Sequence, residues 1–391
     1  MTPERVTAEE MLGRLIGFET VSGRSNRALL EFVRDYLDRN GVAARIVPNA
    51  DGDRGNLFAT IGPETTGGIA LSGHTDVVPV EGQPWSTDPF VATSKDGRVY
   101  GRGTADMKGF IAAALALVPA FRALPLRRPI HLCLSYDEEI GCVGVPSLLR
   151  LLGRELPLPA LAIIGEPTGM KVVNAHKGIW VQRTTVTGRD GHSSAPQRGA
   201  NAIAYMARFI GRLEQLATEL RSETAGIAAP GVEFDPPWST LNLGIIEGGT
   251  ALNIIARTCS LVWEFRPLPG VDAPAIRARI GDWIARELAP ALRQSAPEGS
   301  IETASIAEVP ALVPEPGGLA ETVALRLTGA NRADTVSFTS EGGQFQECGI
   351  STVLCGPGSV TEAHQPDEFV ALEQLAACEV FLRRLADWAC A

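Results

Sequence analysis

Ile69-Ala70-Leu71-Ser72-Gly73-His74-Thr75-Asp76 is a short apolar run that ends abruptly in a glycine, a histidine and an aspartate. A run of this kind reads as a strand buried on both faces, and its polar end as a strand terminus presenting side chains at a crevice. The arrangement recurs along the first 176 residues. The apolar run 130–135 leads into Asp137-Glu138-Glu139, and the run 161–164 into Gly165-Glu166-Pro167-Thr168. Further strand-like runs fall at 44–47 and 56–61, and helical patterns at 8–16, 27–37, 107–124 and 143–152. Short strands alternating with helices predict an α/β domain with a mixed sheet flanked by helices.

From Gly178 the rhythm changes. Strand 181–187, helix 201–220, strands 240–246 and 259–266, helix 272–292 and strand 300–307 follow one another. That order predicts an α+β unit of the split βαβ, ferredoxin-like kind. After Pro310 the α/β rhythm returns at 319–328, 352–354 and 371–388. The chain therefore reads as a discontinuous domain of residues 1–176 and 312–391, with an inserted domain at 177–311. Within the insert, the Gly- and Pro-rich stretch 225–237 reads as a loop.

Composition narrows the possibilities. The chain has 391 residues, 45% of them hydrophobic, so it has material for a sizeable core. Asp and Glu outnumber Lys and Arg by 45 to 35, for a net charge of −10. An acidic chain of this kind argues against nucleic acid as the partner. The longest apolar run, 110–118, is far shorter than the ~20 residues that span a bilayer, and the first five residues carry no apolar leader. Seven cysteines without a Cys-x-x-Cys pair read as reduced thiols. The expectation is a cytoplasmic protein without a membrane partner.

Only five histidines exist, at 74, 131, 176, 192 and 364. Asp76, two residues after His74, could hold one imidazole nitrogen. Asp106, in Gly101-Arg102-Gly103-Thr104-Ala105-Asp106-Met107-Lys108-Gly109, stands at the start of a long helix, where a plain N-cap is the alternative. Glu138, Glu139 and Glu166 follow their strands, and His364 lies in Ala363-His364-Gln365-Pro366-Asp367-Glu368. Singly, each has a bland reading as a cap or a solvated turn. Repeated at the strand ends of one sheet, this mixture of imidazole and carboxylate suits a divalent metal. No His-Glu-x-x-His or Gly-x-Ser-x-Gly pattern offers another hydrolytic chemistry. His131 reads as a strand residue and His176 as a residue of the domain junction.

These segments resemble the M20 family of metallopeptidases and deacylases. Gly191-His192-Ser193-Ser194, Asn253, Arg266-Pro267-Leu268-Pro269-Gly270 and Gly356-Pro357-Gly358-Ser359 extend the resemblance over essentially the whole chain. It implies two divalent ions, typically zinc, with cobalt able to substitute. Asp106 would bridge them, His74 and Glu166 would complete the protein ligands of one, and Glu139 with His364 those of the other. Three carboxylates leave two such ions a residual positive charge that favours ionising a water, and Glu138 remains free as general base. Asp76 would support His74. His192 would stabilise the oxyanion, reaching it by domain closure or from a partner subunit. Asn253 and Arg266 would bind the substrate carboxylate, with a structural salt bridge as the rival role for Arg266. Glu341, in Ser340-Glu341-Gly342-Gly343, would pair with a side-chain ammonium.

Within the family the pattern is most like that of the acetylornithine deacetylases, which implies conversion of N2-acetyl-L-ornithine and water to L-ornithine and acetate, a step of arginine biosynthesis. Succinyl-diaminopimelate desuccinylase, a broad N-acyl-amino-acid deacylase, a dipeptidase or carboxypeptidase, and a non-catalytic binding protein of the same fold are the alternatives. The resemblance also implies a homodimer formed through the inserted domain.

Overall fold

The computed structural model describes residues 6–227 and 232–391. The reading of the first five residues, and part of the loop read at 225–237, lie outside these. The chain forms two compact units. One comprises the residues up to Ala175 together with Leu312–Thr335 and Ser340–Ala391, and the other His176–Ala311 together with Val336–Thr339.

The first unit is built on an eight-stranded sheet. Its strands run in the order Ala44–Pro48, Gly55–Ile61, Ile130–Ser135, Ile69–His74, Leu161–Pro167, Ser351–Gly356, Val173–His176 and Asp334–Val336. Ile69–His74 lies parallel to both neighbours, with Ile69 opposite Ile130 on one side and Leu161 on the other. Gly55–Ile61 pairs antiparallel with Ile130–Ser135, so the sheet is mixed, as read. Every residue of the three central strands is buried, which is why they appear in the sequence as continuous apolar runs rather than alternations. Parallel strands in level register deliver their carboxyl ends to one edge of the sheet. His74, the loop after Ser135, and Glu166 arrive together there.

The helix read at 107–124 is divided. Thr104–Lys108 is an irregular turn in which Asp106 (φ −123°, ψ 96°) and Met107 are not helical. Gly109–Ala116 and Val118–Ala123 follow as separate helices. Pro119 lacks the N–H needed to continue the ladder without interruption. Among the described residues, Thr104–Ala123 is the stretch long and apolar enough to cross a membrane, and it is largely buried inside the protein. Phe110 and Ile111 pack in one core with Leu12 and Leu15 of the helix Ala8–Ile16 and Phe381 and Leu385 of Leu372–Cys390. Phe110 lies so close to the Leu161–Pro167 strand that a Cβ at Gly165 would stand 2.0 Å from its ring. Only glycine permits that approach immediately before Glu166. The helix read at 143–152 shrinks to Pro146–Leu149. Gly141 (φ 109°) and Cys142 (φ 52°) precede it in left-handed backbone, so no helix extends back through them.

The second unit has a four-stranded antiparallel sheet in the order Thr240–Gly248, Thr258–Arg266, Ile179–Thr187, Ser300–Val309. With chain order strand, helix, two strands, helix, strand, this is the ferredoxin-like topology. Burial alternates residue by residue along Ile179–Thr187 and Thr258–Arg266, as in a sheet with one face covered. Trp263 and Phe265 meet Met206, Phe209 and Leu213 of the helix Ala202–Thr224. Asn201 caps that helix and Asp272 caps Ala273–Trp283, each accepting backbone N–H groups of the first turn. The strand Thr240–Gly248 lies at an edge, with Ile245 and Ile246 more than half exposed.

Candidate metal centre

At the carboxyl edge of the large sheet, Asp106 stands between two histidines. Its Oδ1 is 2.9 Å from His74 Nε2 and its Oδ2 is 3.3 Å from His364 Nε2. His364 Nε2 is in turn 2.9 Å from Glu139 Oε2. Ligand atoms of His74, Asp106 and Glu139 all lie within 4.8 Å of one another. One carboxylate thus offers an oxygen to each of two imidazoles drawn from opposite ends of the chain.

The loops are fixed from behind. His74 Nδ1 lies 2.9 Å from the backbone carbonyl of Asp76, so this nitrogen carries the proton and Nε2 is left to act as donor atom to a metal. The Asp76 carboxylate accepts the Ser22 hydroxyl at 2.7 Å and the backbone N–H groups of Glu138 at 3.1 Å and Glu139 at 3.3 Å. Asp137 accepts the Gly23 N–H at 2.7 Å and pairs with Arg54. It occupies left-handed backbone (φ 53°), as does His364 (φ 64°), a conformation in which non-glycine residues are uncommon. Two residues to which the sequence reading gave no role, Arg102 and Glu368, form a buried ion pair against the Asp106 loop. Both lie inside the quoted motifs, but nothing in their spacing shows that they meet.

Electrostatics shows what the cluster lacks. Burial pushes the Glu138 carboxyl well above its ordinary range, and the Glu166 charge adds to it. Burial and the Asp106 charge likewise raise Glu166 well above that range, and Glu139 to about 7. Burial also disfavours the Asp106 charge, but hydrogen bonds with His364 and His74 outweigh it and hold that carboxyl well below the usual range. His364 is raised to about 10 by its contacts with Asp106 and Glu139. Glu166 Oε1 is buried with no hydrogen-bond partner. Crowded carboxylates that resist ionisation, an orphaned buried oxygen and two imidazole nitrogens are what divalent cations would neutralise and ligate. The residues present fit divalent metal.

Glu138 does not reach either histidine. It receives a hydrogen bond from the Cys142 thiol at 3.3 Å instead. Glu341, read as the partner of a substrate ammonium, lies close enough to Glu166 and His74 for their charges to act on one another. Its side chain is only 1% exposed, its Oε1 has no hydrogen-bond partner, and burial holds its carboxyl at about 7. His131 is a buried strand residue, bonded to Thr60 Oγ1 at 3.0 Å and the Gly67 carbonyl at 3.2 Å.

Three of the read site residues belong to the second unit. His192 is exposed; its Nδ1 lies 2.7 Å from the Ser194 hydroxyl and accepts the Ser194 backbone N–H at 3.2 Å, which leaves its proton on Nε2. It pairs across an isolated bridge with Ile254, and the Ser193 N–H donates to the Asn253 carbonyl at 3.0 Å. His192 and the exposed Asn253 therefore lie on adjoining segments. Arg266 makes the salt bridge named as its rival role, to Glu264 at 2.9 Å. His176 opens this unit, its Nδ1 2.8 Å from the Lys177 carbonyl.

The family model of peptidase family M20/M25/M40 matches residues 70–388. The acetylornithine deacetylase of Pasteurella multocida (strain Pm70) is 34% identical over 389 residues, covering 97% of either chain. That of Myxococcus xanthus is 36% identical over 386 residues, covering 95% of either chain. The M20 family metallo-carboxypeptidase Sso-CP2 of Sulfolobus solfataricus shares the fold with a TM-score of 0.75, over 98% of this chain and 99% of that one, at 17% identity.

Proposed function

This chain belongs to peptidase family M20/M25/M40, and from that premise we propose that it deacetylates N2-acetyl-L-ornithine, giving L-ornithine and acetate. The reading is carried by one observation, Asp106 sharing its two oxygens between His74 and His364 beside Glu138, Glu139 and Glu166. The acetylornithine deacetylases matched over nearly their whole length support the substrate.

Asp106 would hold both ions, with His74 and Glu166 on one and Glu139 and His364 on the other. When bound, two zinc or cobalt ions supply Lewis acidity, polarising the acyl carbonyl and lowering the pKa of water.

The chain's own groups manage the protons. Glu138, left unligated, takes a proton from the attacking water and passes it to the amine nitrogen as the C–N bond breaks. The water oxygen becomes part of acetate and the amine leaves as ornithine. His192 carries its proton on Nε2 and offers it as a hydrogen bond to the developing oxyanion. Asn253 and the guanidinium of Arg266 recognise the α-carboxylate. The exposed edge of Thr240–Gly248, with Ile245 and Ile246, supports a homodimer through the second unit, which light scattering tests.

The substrate is tested by following amine release from N2-acetyl-L-ornithine and N-succinyl-LL-diaminopimelate side by side with metal-loaded protein. The expected result is a clear preference for the acetyl compound. A preference for the succinyl compound would retain the metal chemistry and discard the proposed substrate.

A further inference from the structure

The side chains of Arg102 and Glu368 are each 1% exposed, and Arg102 Nη1 lies 2.7 Å from Glu368 Oε2. The other oxygen of Glu368 accepts the backbone N–H groups of Ala105 at 2.9 Å and Asp106 at 3.1 Å. The same Arg102 nitrogen donates to the Gln365 carbonyl at 3.3 Å, one residue beyond His364. Gln83 closes the circuit: its side-chain oxygen accepts from Arg102, and its amide donates to the His364 carbonyl at 2.8 Å. The guanidinium also lies 5.0 Å from the centre of the Trp85 ring.

A buried ion pair is not a cheap source of stability, because apolar side chains of the same volume fill the space as well. What this pair does that apolar side chains would not is grip two backbones. Glu368 bonds to the backbone of Asp106, and Arg102 and Gln83 bond to the segment of His364. To serve a common ion, Asp106 and His364 must hold their separation to within about half an ångström, although their loops are more than 250 residues apart in the chain. We propose that Arg102 and Glu368 are positioning residues of the metal centre, clamping Asp106 and His364 into a fixed register so that the ions enter a preorganised set of donors. This rests on the reading of Asp106 and His364 as metal ligands.

The test is a titration of metal-stripped protein with cobalt(II), followed by the visible absorption of the bound ion, whose bands respond to ligand number and geometry. Three proteins are compared with the parent: Glu368→Gln, the double variant Arg102→Met with Glu368→Gln, and Asp106→Asn. Glu368→Gln keeps the shape but leaves a buried guanidinium unpaired, and the double variant removes that unpaired charge. Both are expected to bind cobalt roughly 10- to 100-fold more weakly, with shifted bands. At saturating metal both should have a lower kcat and a KM close to that of the parent. A folded double variant with the parent's affinity and spectrum would overturn the clamp. Asp106→Asn should lose cobalt binding. If it bound cobalt like the parent, the reading of the metal centre would fall first and the clamp with it.

Discussion

The carboxylate of Asp76 accepts the backbone N–H of Glu138 at 3.1 Å. Its own backbone carbonyl meets His74 Nδ1 at 2.9 Å. One residue therefore fixes both the imidazole proposed as a metal ligand and the loop that carries the proposed base. The second carboxylate oxygen is occupied too, by Ser22 and the Glu139 N–H. Asp76→Asn would turn an amide NH2 toward one of these donors. We expect metal affinity to fall by roughly 10- to 100-fold, with the fold kept by circular dichroism. Metal content after dialysis against buffered free zinc measures it. Unchanged content would mean that Asp76 supports the loop without tuning the ligands.

Glu138→Gln removes the proposed base and keeps the side-chain volume and the Cys142 contact. Turnover should fall by roughly 10²–10⁴-fold, the usual share of general acid–base catalysis, while metal content and KM remain close to those of the parent. Steady-state kinetics beside elemental analysis separates the two effects. Loss of metal together with activity would make Glu138 a ligand and reassign the base.

His192→Ala should lower kcat by roughly 10²–10³-fold, the loss typical of one oxyanion donor, without altering metal content. Because Ser194 holds Nδ1, the change removes a directed Nε2–H donor. His192→Gln, which restores an N–H, should recover part of the rate. Equal losses in both variants would point to a different role.

The placement of most of the candidate site's residues was legible in the sequence, because they stand where an apolar run ends. His74, Glu138, Glu139 and Glu166 each stand at or just past the end of a strand whose continuous apolar run marks it as central, and parallel register brings those ends together. Asp106 was legible as a helix start, but not the irregular turn that frees its carboxylate from capping. What connects distant loops was not legible. The Arg102–Glu368 pair spans 266 positions, and a local pattern carries no sign of it. The burial of Glu341, quoted in a motif as a substrate contact, was not legible either. Two strands on one side of the sheet were lost for a related reason: Val173–His176 and Asp334–Val336 are too short for a period to show.

His131 gives a pH dependence independent of the active site. Burial lowers its pKa to about 4 from the ordinary imidazole value. Between about pH 6.5 and 4 the unfolded chain therefore binds a proton that the folded chain refuses, so stability falls as pH drops through that window. The full contribution is roughly 3 kcal/mol. His131→Gln should show a shallower loss between pH 7 and 4, read by urea unfolding at each pH. Parallel curves for parent and variant would contradict the assignment.

The most direct measurement is a zinc titration of stripped protein with N2-acetyl-L-ornithine as substrate, recording amine release at each addition. Activity should start near zero and reach its plateau when two ions per chain have been added. Full activity before any metal is added, or a protein that binds two ions and leaves this substrate intact, would contradict the account.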